Sequence, residues 1–415
     1  MSLKYDQETV QIPETWKAKA PLLISAALIC LVVGAGLCFV GGKSANVPGV
    51  SATKYVMHSY LSNFMFLFSF SLGALFFILI QFLTRAGWSS SIRRVAEILM
   101  AVLPWSAVLF VPVLLMLFAN DISLYEWNQS AEAIENSVIR AKVGYLERGF
   151  FTFRTVLYIG LLSGIALWYF NKSRAQDETG DVELSIDRQK WAGPMVMIFS
   201  LTASFAAFDW VMSIDADWYS TIFGVYIFSA SMMAFFAMMV VLCMNLQNAG
   251  KLKNLVTTEH YHDMGKFMFG FVMFWSYIAF SQLLLYWYGN IPEETYWYKV
   301  RLMGGWEYFS YGLIFVHFII PFLGLMSHHV RRHRTGLYFW ACWLIVVHWM
   351  DMTYLVMPNV PGGLPVLPLV GHFVGGVGML LMLSAFFIIR SSGVPLVAMR
   401  DPRLPEALTY TNPLL

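Results

Sequence analysis

Residues 220–245 read STIFGVYIFSASMMAFFAMMVVLCMN, a run without one Asp, Glu, Lys, Arg or His. Coiled as an α-helix it rises about 39 Å, more than the roughly 30 Å of a bilayer's hydrocarbon. It is apolar on every side, so no single buried face of a water-soluble fold accounts for it. Only lipid and neighbouring helices can surround such a segment.

The same pattern recurs on both sides of this run. Before it lie Pro21 to Gly42, Tyr60 to Thr84, Ala96 to Ala119, Phe150 to Phe170 and Ala192 to Ser213. After it lie Phe267 to Gly289, Trp306 to Ser327, Gly336 to Met357 and Val370 to Ile389. With Ser220 to Asn245 these make ten spans. The composition agrees: of 415 residues, 58% are hydrophobic and 13% charged, about half the charge of an average soluble domain. The expected fold is therefore an all-α integral membrane protein, with a polar cytoplasmic segment over 1–20, a ten-helix membrane domain over 21–390, and a tail over 391–415. The first apolar run exceeds the core of a signal peptide, so it is expected to remain as an uncleaved span. Pro104 and Pro112 in the third span and Pro321 in the eighth are expected to kink their helices. Trp16, Trp88, Trp127, Trp191, Trp218, Trp297 and Trp306 fall near span ends, where an interfacial aromatic belt belongs.

A net charge of +2, carried by scattered basic residues, does not suit a nucleic-acid partner. Cys30, Cys38, Cys243 and Cys342 all lie inside apolar runs with no C-x-x-C spacing, so neither an iron–sulfur cluster nor a covalently attached haem is expected in this chain. No metal site is expected either. Basic residues instead set orientation. Nineteen Lys and Arg fall on the side of the termini, among them Arg93, Arg94, Arg188, Arg331, Arg332 and Arg334, and seven on the other side, including Arg140, Lys299 and Arg301. Arg154 alone lies within a span. By the positive-inside rule both termini face the cytoplasm.

The second and sixth spans carry similar texts. Phe68-Ser69-Phe70-Ser71 followed by Phe76-Phe77 matches Phe228-Ser229-Ala230-Ser231 followed by Phe235-Phe236. Each is followed by a span with an acid at its cytoplasmic end (Glu97, Asp263), then one with a charge near its outer end (Arg154, Glu307), then one with an outer-half aspartate (Asp209, Asp351). Spans two to five (about 60–213) and six to nine (about 220–357) thus read as parallel repeats, two four-helix bundles flanked by the first and tenth helices.

Ionisable residues at bilayer depth cost about 2.5–3.5 kcal/mol even on the mildest scale, so they are functional candidates. In the outer half these are Arg154, Asp209, Asp215, Asp217, Glu307, Asp351 and His372, with His348 and His317 nearer the midplane. At the inner end they are Glu97, His260, His262 and Asp263. His348 and Asp351, three residues apart, share a helix face, and Glu307, Ser310 and His317 follow one stripe of the eighth span. A carboxyl beside an imidazole in a low dielectric makes a pair whose proton affinity responds to nearby charge. Asp351, His348, Glu307 and His317 are read as one proton-handling cluster, with Asp209 and Arg154 as its counterpart and Asp215 and Asp217 near the exit; if the outer half binds quinone instead, Tyr286 and Trp287 flank the ring. The inner group is read as the mouths where protons are taken up. Each residue also has a structural reading: Glu307 as a cap, Asp215 and Asp217 as turn residues, His317 as a hydrogen-bonded core residue, Arg154 with Asp209 as a buried ion pair. His328, His329 and His333 belong to a topogenic basic cluster. The tail, with Pro395, Pro402, Pro405 and Pro413, reads as extended and held by other subunits.

The block Phe208-Asp209-Trp210-Val211-Met212-Ser213-Ile214-Asp215, then Trp218-Tyr219-Ser220-Thr221-Ile222-Phe223-Gly224-Val225-Tyr226, His262-Asp263-Met264-Gly265-Lys266, Phe274-Trp275-Ser276-Tyr277 and Ile291-Pro292-Glu293-Glu294-Thr295 resembles the NrfD-like (polysulfide-reductase-like) membrane subunits of bacterial alternative complex III, the second of the two types. The resemblance runs over most of the chain. It implies a bacterial inner-membrane quinol:cytochrome c, or oxidase-linked, oxidoreductase. In such an assembly this subunit sits beside a sister NrfD-like subunit, beneath periplasmic iron–sulfur and multihaem cytochrome c proteins, with a terminal oxidase as a further partner. The ligands implied are a quinone or quinol and phospholipid. A proton-conducting pathway and a quinone site are the two competing roles. Outside that family, a proton-coupled secondary transporter and a membrane anchor using His317 and His348 as axial ligands of a b-type haem are the alternatives.

Overall fold

Backbone amides cannot be left unpaired in hydrocarbon, so each apolar run should close its hydrogen bonds within a helix. In the computed structural model of the chain, which describes residues 10–129, 134, 136–363 and 365–411, they do. The chain is 79% helical without strands among the described residues, and ten helices there are long and apolar enough to cross a membrane. They are Glu14–Ala45, Ala52–Leu83, Ser90–Phe118, Arg148–Thr179, Glu183–Ile214, Phe223–Asn248, Thr258–Gly289, Trp306–Met326, Arg334–Asn359 and Val366–Ser391. The protein is a multi-pass membrane protein. Ten crossings bring both ends of the chain to one face, called the terminal face here; the other is the distal face.

Several helices outrun their apolar cores. The second begins at Ala52, capped by the Ser51 hydroxyl accepting from Lys54 N at 3.3 Å, because a Lys and a His are tolerated in a helical turn beyond the hydrocarbon. The seventh begins at Thr258, where Thr257 and His260 close a reciprocal capping box that satisfies two otherwise orphaned amides. Pro104 interrupts the third span, which runs as Ser90–Met100 and Trp105–Phe118 with turns between, whereas Pro112 stays inside its helix. Pro321 has no N–H for a carbonyl one turn back. The six residues before it that bear the misfit, Ile314–Ile319, widen into a π-helical turn, and Trp343 Nε1 donates to Val316 O at 2.9 Å.

Spans two and six are the most enclosed and lie against each other at the centre. A Cβ on Gly73 of the second would come within 2.7 Å of Ser231 O in the sixth, so the absent side chain sets their separation. The fifth span lies on the sixth, and the ninth on the second. Spans one and ten pair along a seam of glycines: a Cβ on Gly371 would meet Gly34 O at 2.6 Å. Small residues let helices approach where lipid supplies no hydrophobic drive.

The tail differs from the extended segment expected. It folds onto the terminal face of its own chain, with a helical turn at Leu404–Leu408 and Val394, Leu396, Val397 and Ala407 buried. Its prolines forbid a long helix but not packing. Asp401 meets the buried Arg93 at 2.8 Å, Tyr410 donates to Asp263 at 2.5 Å, and Leu396 N donates to Val10 O at 2.6 Å. Pro413 lies outside the described residues.

Glu183 and Glu293 are exposed and fall on opposite faces. Single cysteines at these positions are expected to react with an impermeant maleimide from opposite sides of the membrane. Modification of both from one side would contradict the ten-span arrangement.

Candidate functional site

Asp351 lies in the distal third of the ninth span, fully buried. It is enclosed by three other helices of the second bundle. Tyr226 of the sixth span donates its hydroxyl to Oδ1 at 2.6 Å, Trp275 of the seventh donates Nε1 to Oδ2 at 3.1 Å, and His317 Nε2 of the eighth lies 3.9 Å from Oδ2. The His317 ring stacks on Trp275, centroids 3.4 Å apart, and sits in the π-helical turn that Pro321 provokes. Neither of its ring nitrogens has a hydrogen-bond partner. Leaving a buried polar atom unpaired costs about 1–3 kcal/mol, and π-helical turns concentrate at working sites. An acid held by two neutral donors, with an imidazole beside it whose nitrogens are uncommitted, can trade a proton between the two groups. It can pass that proton on through a water or a ring rotation.

The other expected members of this cluster go elsewhere. His348 shares its helix with Asp351 but turns to the second span, where Ser69 Oγ lies 2.6 Å from Nε2 and Phe66 and Phe70 flank the ring at 5.7 Å. Its Nδ1 is unpartnered. A haem shared by His317 and His348 would have to displace Trp275 and Ser69, so the arrangement does not suit axial ligation. Glu307 is not in the cluster: its carboxylate accepts from Gly305 N at 2.8 Å, capping its own helix behind a left-handed glycine at φ 95°. His372, in the tenth span, is saturated by Ser59 at 3.0 Å, Asn63 at 3.2 Å and Thr353 at 2.8 Å, and serves as a tie between helices. Trp287 is exposed on the outside of the bundle, while Tyr286 binds Tyr219 O at 2.5 Å, so these two do not flank one slot.

In the first bundle, Arg154 Nε meets Asp209 Oδ2 at 2.6 Å, Tyr158 donates to the same oxygen at 2.8 Å, and Arg154 also caps Tyr145 O at 2.7 Å. The repeat thus places an outer-half aspartate against a tyrosine and a basic side chain in both bundles. The basic partner is Arg154 in one and His317, rather than Glu307, in the other. A permanent cation fixes Asp209 as an ion pair, whereas an imidazole leaves Asp351 free to exchange.

At the distal surface Asp217 is exposed and accepts from Asn136 at 2.8 Å. Asp215 is half-buried, and its removal from water raises its carboxyl pKa against the pull of Arg301. Arg301 was counted among outer loop residues, yet it is fully buried. It donates to Tyr354 O at 3.1 Å and Leu355 O at 2.8 Å, the end of the ninth helix, where a cation complements the macrodipole. Desolvation lowers its pKa to about 10.

The inner acids differ from open mouths. Glu97 is fully buried, bound to Arg94 at 2.8 Å and beside Arg188 at 3.6 Å. Asp177 and Asp401 complete a network with Arg94 and Arg93 at 2.7 and 2.8 Å. Asp263 is buried under Tyr410 and bound to Lys266 at 2.5 Å. His260 Nδ1 is occupied by Thr257 at 2.9 Å, and His262 packs on His328 at 5.2 Å. Between Asp263 and Trp275 the seventh helix rises about 18 Å past buried Met264, Met268 and Val272.

Sequence reasoning did not single out Tyr226, Trp275 or Ser69 as site residues. Their signal is a polar-tipped side chain deep in an apolar run, which needs a partner. Among the described residues no group of His, Cys, Asp and Glu is placed to hold a metal. Scanned against protein-family models and against curated proteins, the chain matches none.

Proposed function

We propose that this chain is a membrane subunit of a quinol-oxidising respiratory assembly in a bacterial inner membrane, its termini cytoplasmic, and that its second bundle carries part of a proton pathway centred on Asp351 and His317. The carrying observation is the buried Tyr226–Asp351–Trp275 centre with an uncommitted imidazole at 3.9 Å. The motif resemblance around residues 208–295 supports the assembly, with a sister NrfD-like subunit and periplasmic iron–sulfur and multihaem proteins as partners. Protons would reach the centre from the terminal face past Asp263 and leave near Asp215 and Asp217, crossing the Met264 to Val272 gap by transient hydration. A quinone bound nearby would act on the same centre by changing its charge.

The parallel repeat also suits a proton-coupled secondary transporter. Affinity purification of the tagged chain from native membranes separates the two. Co-elution of haem c absorbance and iron–sulfur protein is expected; a chain that elutes alone and catalyses proton-coupled uptake in liposomes would overturn the assembly.

A further inference from the structure

The terminal face carries a second built feature that the proton pathway does not use. A cleft of about 570 Å³ opens where the sixth span ends and the seventh and ninth begin. Lys253, Arg331, Arg332 and Arg334 line it together with Asn254 and Thr258, and no Asp or Glu does. Arg332 is neutralised from behind by a forked contact to Glu259. Among the described residues the others meet no carboxylate, and Arg334 donates there to neutral acceptors, Gln247 Oε1 at 2.7 Å, Asn248 Oδ1 at 3.0 Å and Met244 O at 3.2 Å. Arg331 has no hydrogen-bond acceptor among the described residues, and its Nε is buried without a partner. Its guanidinium lies 5.7 Å from the Phe269 ring centroid. Lys253 is exposed at the rim, on a loop whose neighbours Leu252 and Asn254 hold left-handed backbone at φ 53° and 62°.

Three cations facing one cleft repel one another unless an anion joins them, and planar guanidinium forks with an ammonium suit the oxygens of a phosphate ester. The cleft stands at the level where membrane helices end, which is the level of lipid headgroups, and basic pockets between helix ends on that side take acidic lipids. Met244 and Leu337 in its wall offer apolar contact for a glycerol backbone. We propose that this cleft is a phosphate-ester site filled from the bilayer by the headgroup of an anionic phospholipid. The site is independent of the respiratory reading.

Native mass spectrometry of the full-length chain in detergent, titrated with phosphatidylglycerol or phosphatidylcholine, tests it. Phosphatidylglycerol is expected to bind in preference. Its affinity should fall about fivefold in Arg331→Gln and again about fivefold when Lys253→Gln is added, at roughly 1 kcal/mol per cation. Lys253→Gln alone alters an exposed rim and keeps the test readable if Arg331→Gln folds poorly. Arg174→Gln, the same charge loss at an exposed position elsewhere on this face, should leave the affinity unchanged. An equal fall in Arg174→Gln, or no fall in either cleft variant, would overturn the site. Displacement of the lipid by inorganic phosphate at equal concentration would overturn the bilayer as its source.

Discussion

Replacing Arg94 by leucine is expected to destabilise the folded chain by about 3–5 kcal/mol, because it leaves buried carboxylates without their cation. Arg94 is fully enclosed. It binds Glu97 at 2.8 Å and Asp177 at 2.7 Å and donates to Ser173 Oγ at 2.9 Å and Pro395 O at 3.4 Å. It therefore ties together the third span, the fourth span and the tail. In the variant Glu97 keeps only Arg188, at 3.6 Å. The double variant Arg94→Leu/Glu97→Leu removes the Glu97 charge as well and should recover part of the loss, but not all of it, because Asp177 then lacks Arg94 and Arg188 lacks Glu97. Thermal unfolding of the parent, Arg94→Leu, Glu97→Leu and the double variant in detergent, followed by near-ultraviolet circular dichroism, measures the coupling as a double-mutant cycle. A single variant within about 0.5 kcal/mol of the parent, the ordinary scatter of surface substitutions, would show that the network does not hold this face together.

Asp351→Asn carries the largest expected functional effect. Asparagine keeps the volume; its amide oxygen can accept from Trp275 while its NH2 donates to the Tyr226 hydroxyl, which reverses its role, so the bundle should fold, but it cannot release a proton. In the proposed quinol-oxidising assembly, proton release per electron is expected to fall to the value set by quinol chemistry alone. Turnover falls with it about 10²-fold or more if the centre serves as general base to quinol, on the scale of a lost acid–base group. His317→Gln should move the same quantities in the same direction, because it removes the exchange partner at 3.9 Å. Asp209→Asn is expected to act on stability instead, since Asp209 is committed to Arg154. A normal proton ratio and normal turnover in both Asp351→Asn and Asp263→Asn would leave the second bundle as scaffold.

The spans were legible because length and apolarity act locally: each run must bridge the bilayer whatever its neighbours do. Proline effects were legible for the same reason at Pro104 and Pro321, though the π-helical turn that places His317 depends on what Trp343 can reach across the bundle. The candidate residues at bilayer depth were legible from their cost alone. Their partners were not. Spacing put His348 and Asp351 on one face, but a buried face has more than one neighbour, and the two side chains part toward the second and sixth spans. Glu307 looked like the repeat's counterpart of Arg154 because sequence offset was the only guide. The three-dimensional counterpart lies ten residues on, at His317. Charge counting treated Arg93, Arg94, Arg188 and Arg301 as solvated topogenic residues, since a count cannot tell a guanidinium in water from one that ties helix ends and a tail together. The tail was misjudged for the complementary reason: Asp401 and Leu396 have partners because Arg93 and Val10 present them.

Proton exchange at Asp351 during turnover is what the proposed pathway requires. Infrared difference spectroscopy of the purified assembly, reduced with quinol and reoxidised, reads this directly in the protonated-carboxyl region. A redox-linked carboxyl band is expected that is present in the parent and in Asp209→Asn, shifts in Tyr226→Phe, and is missing in Asp351→Asn. A difference spectrum unchanged by Asp351→Asn would contradict it.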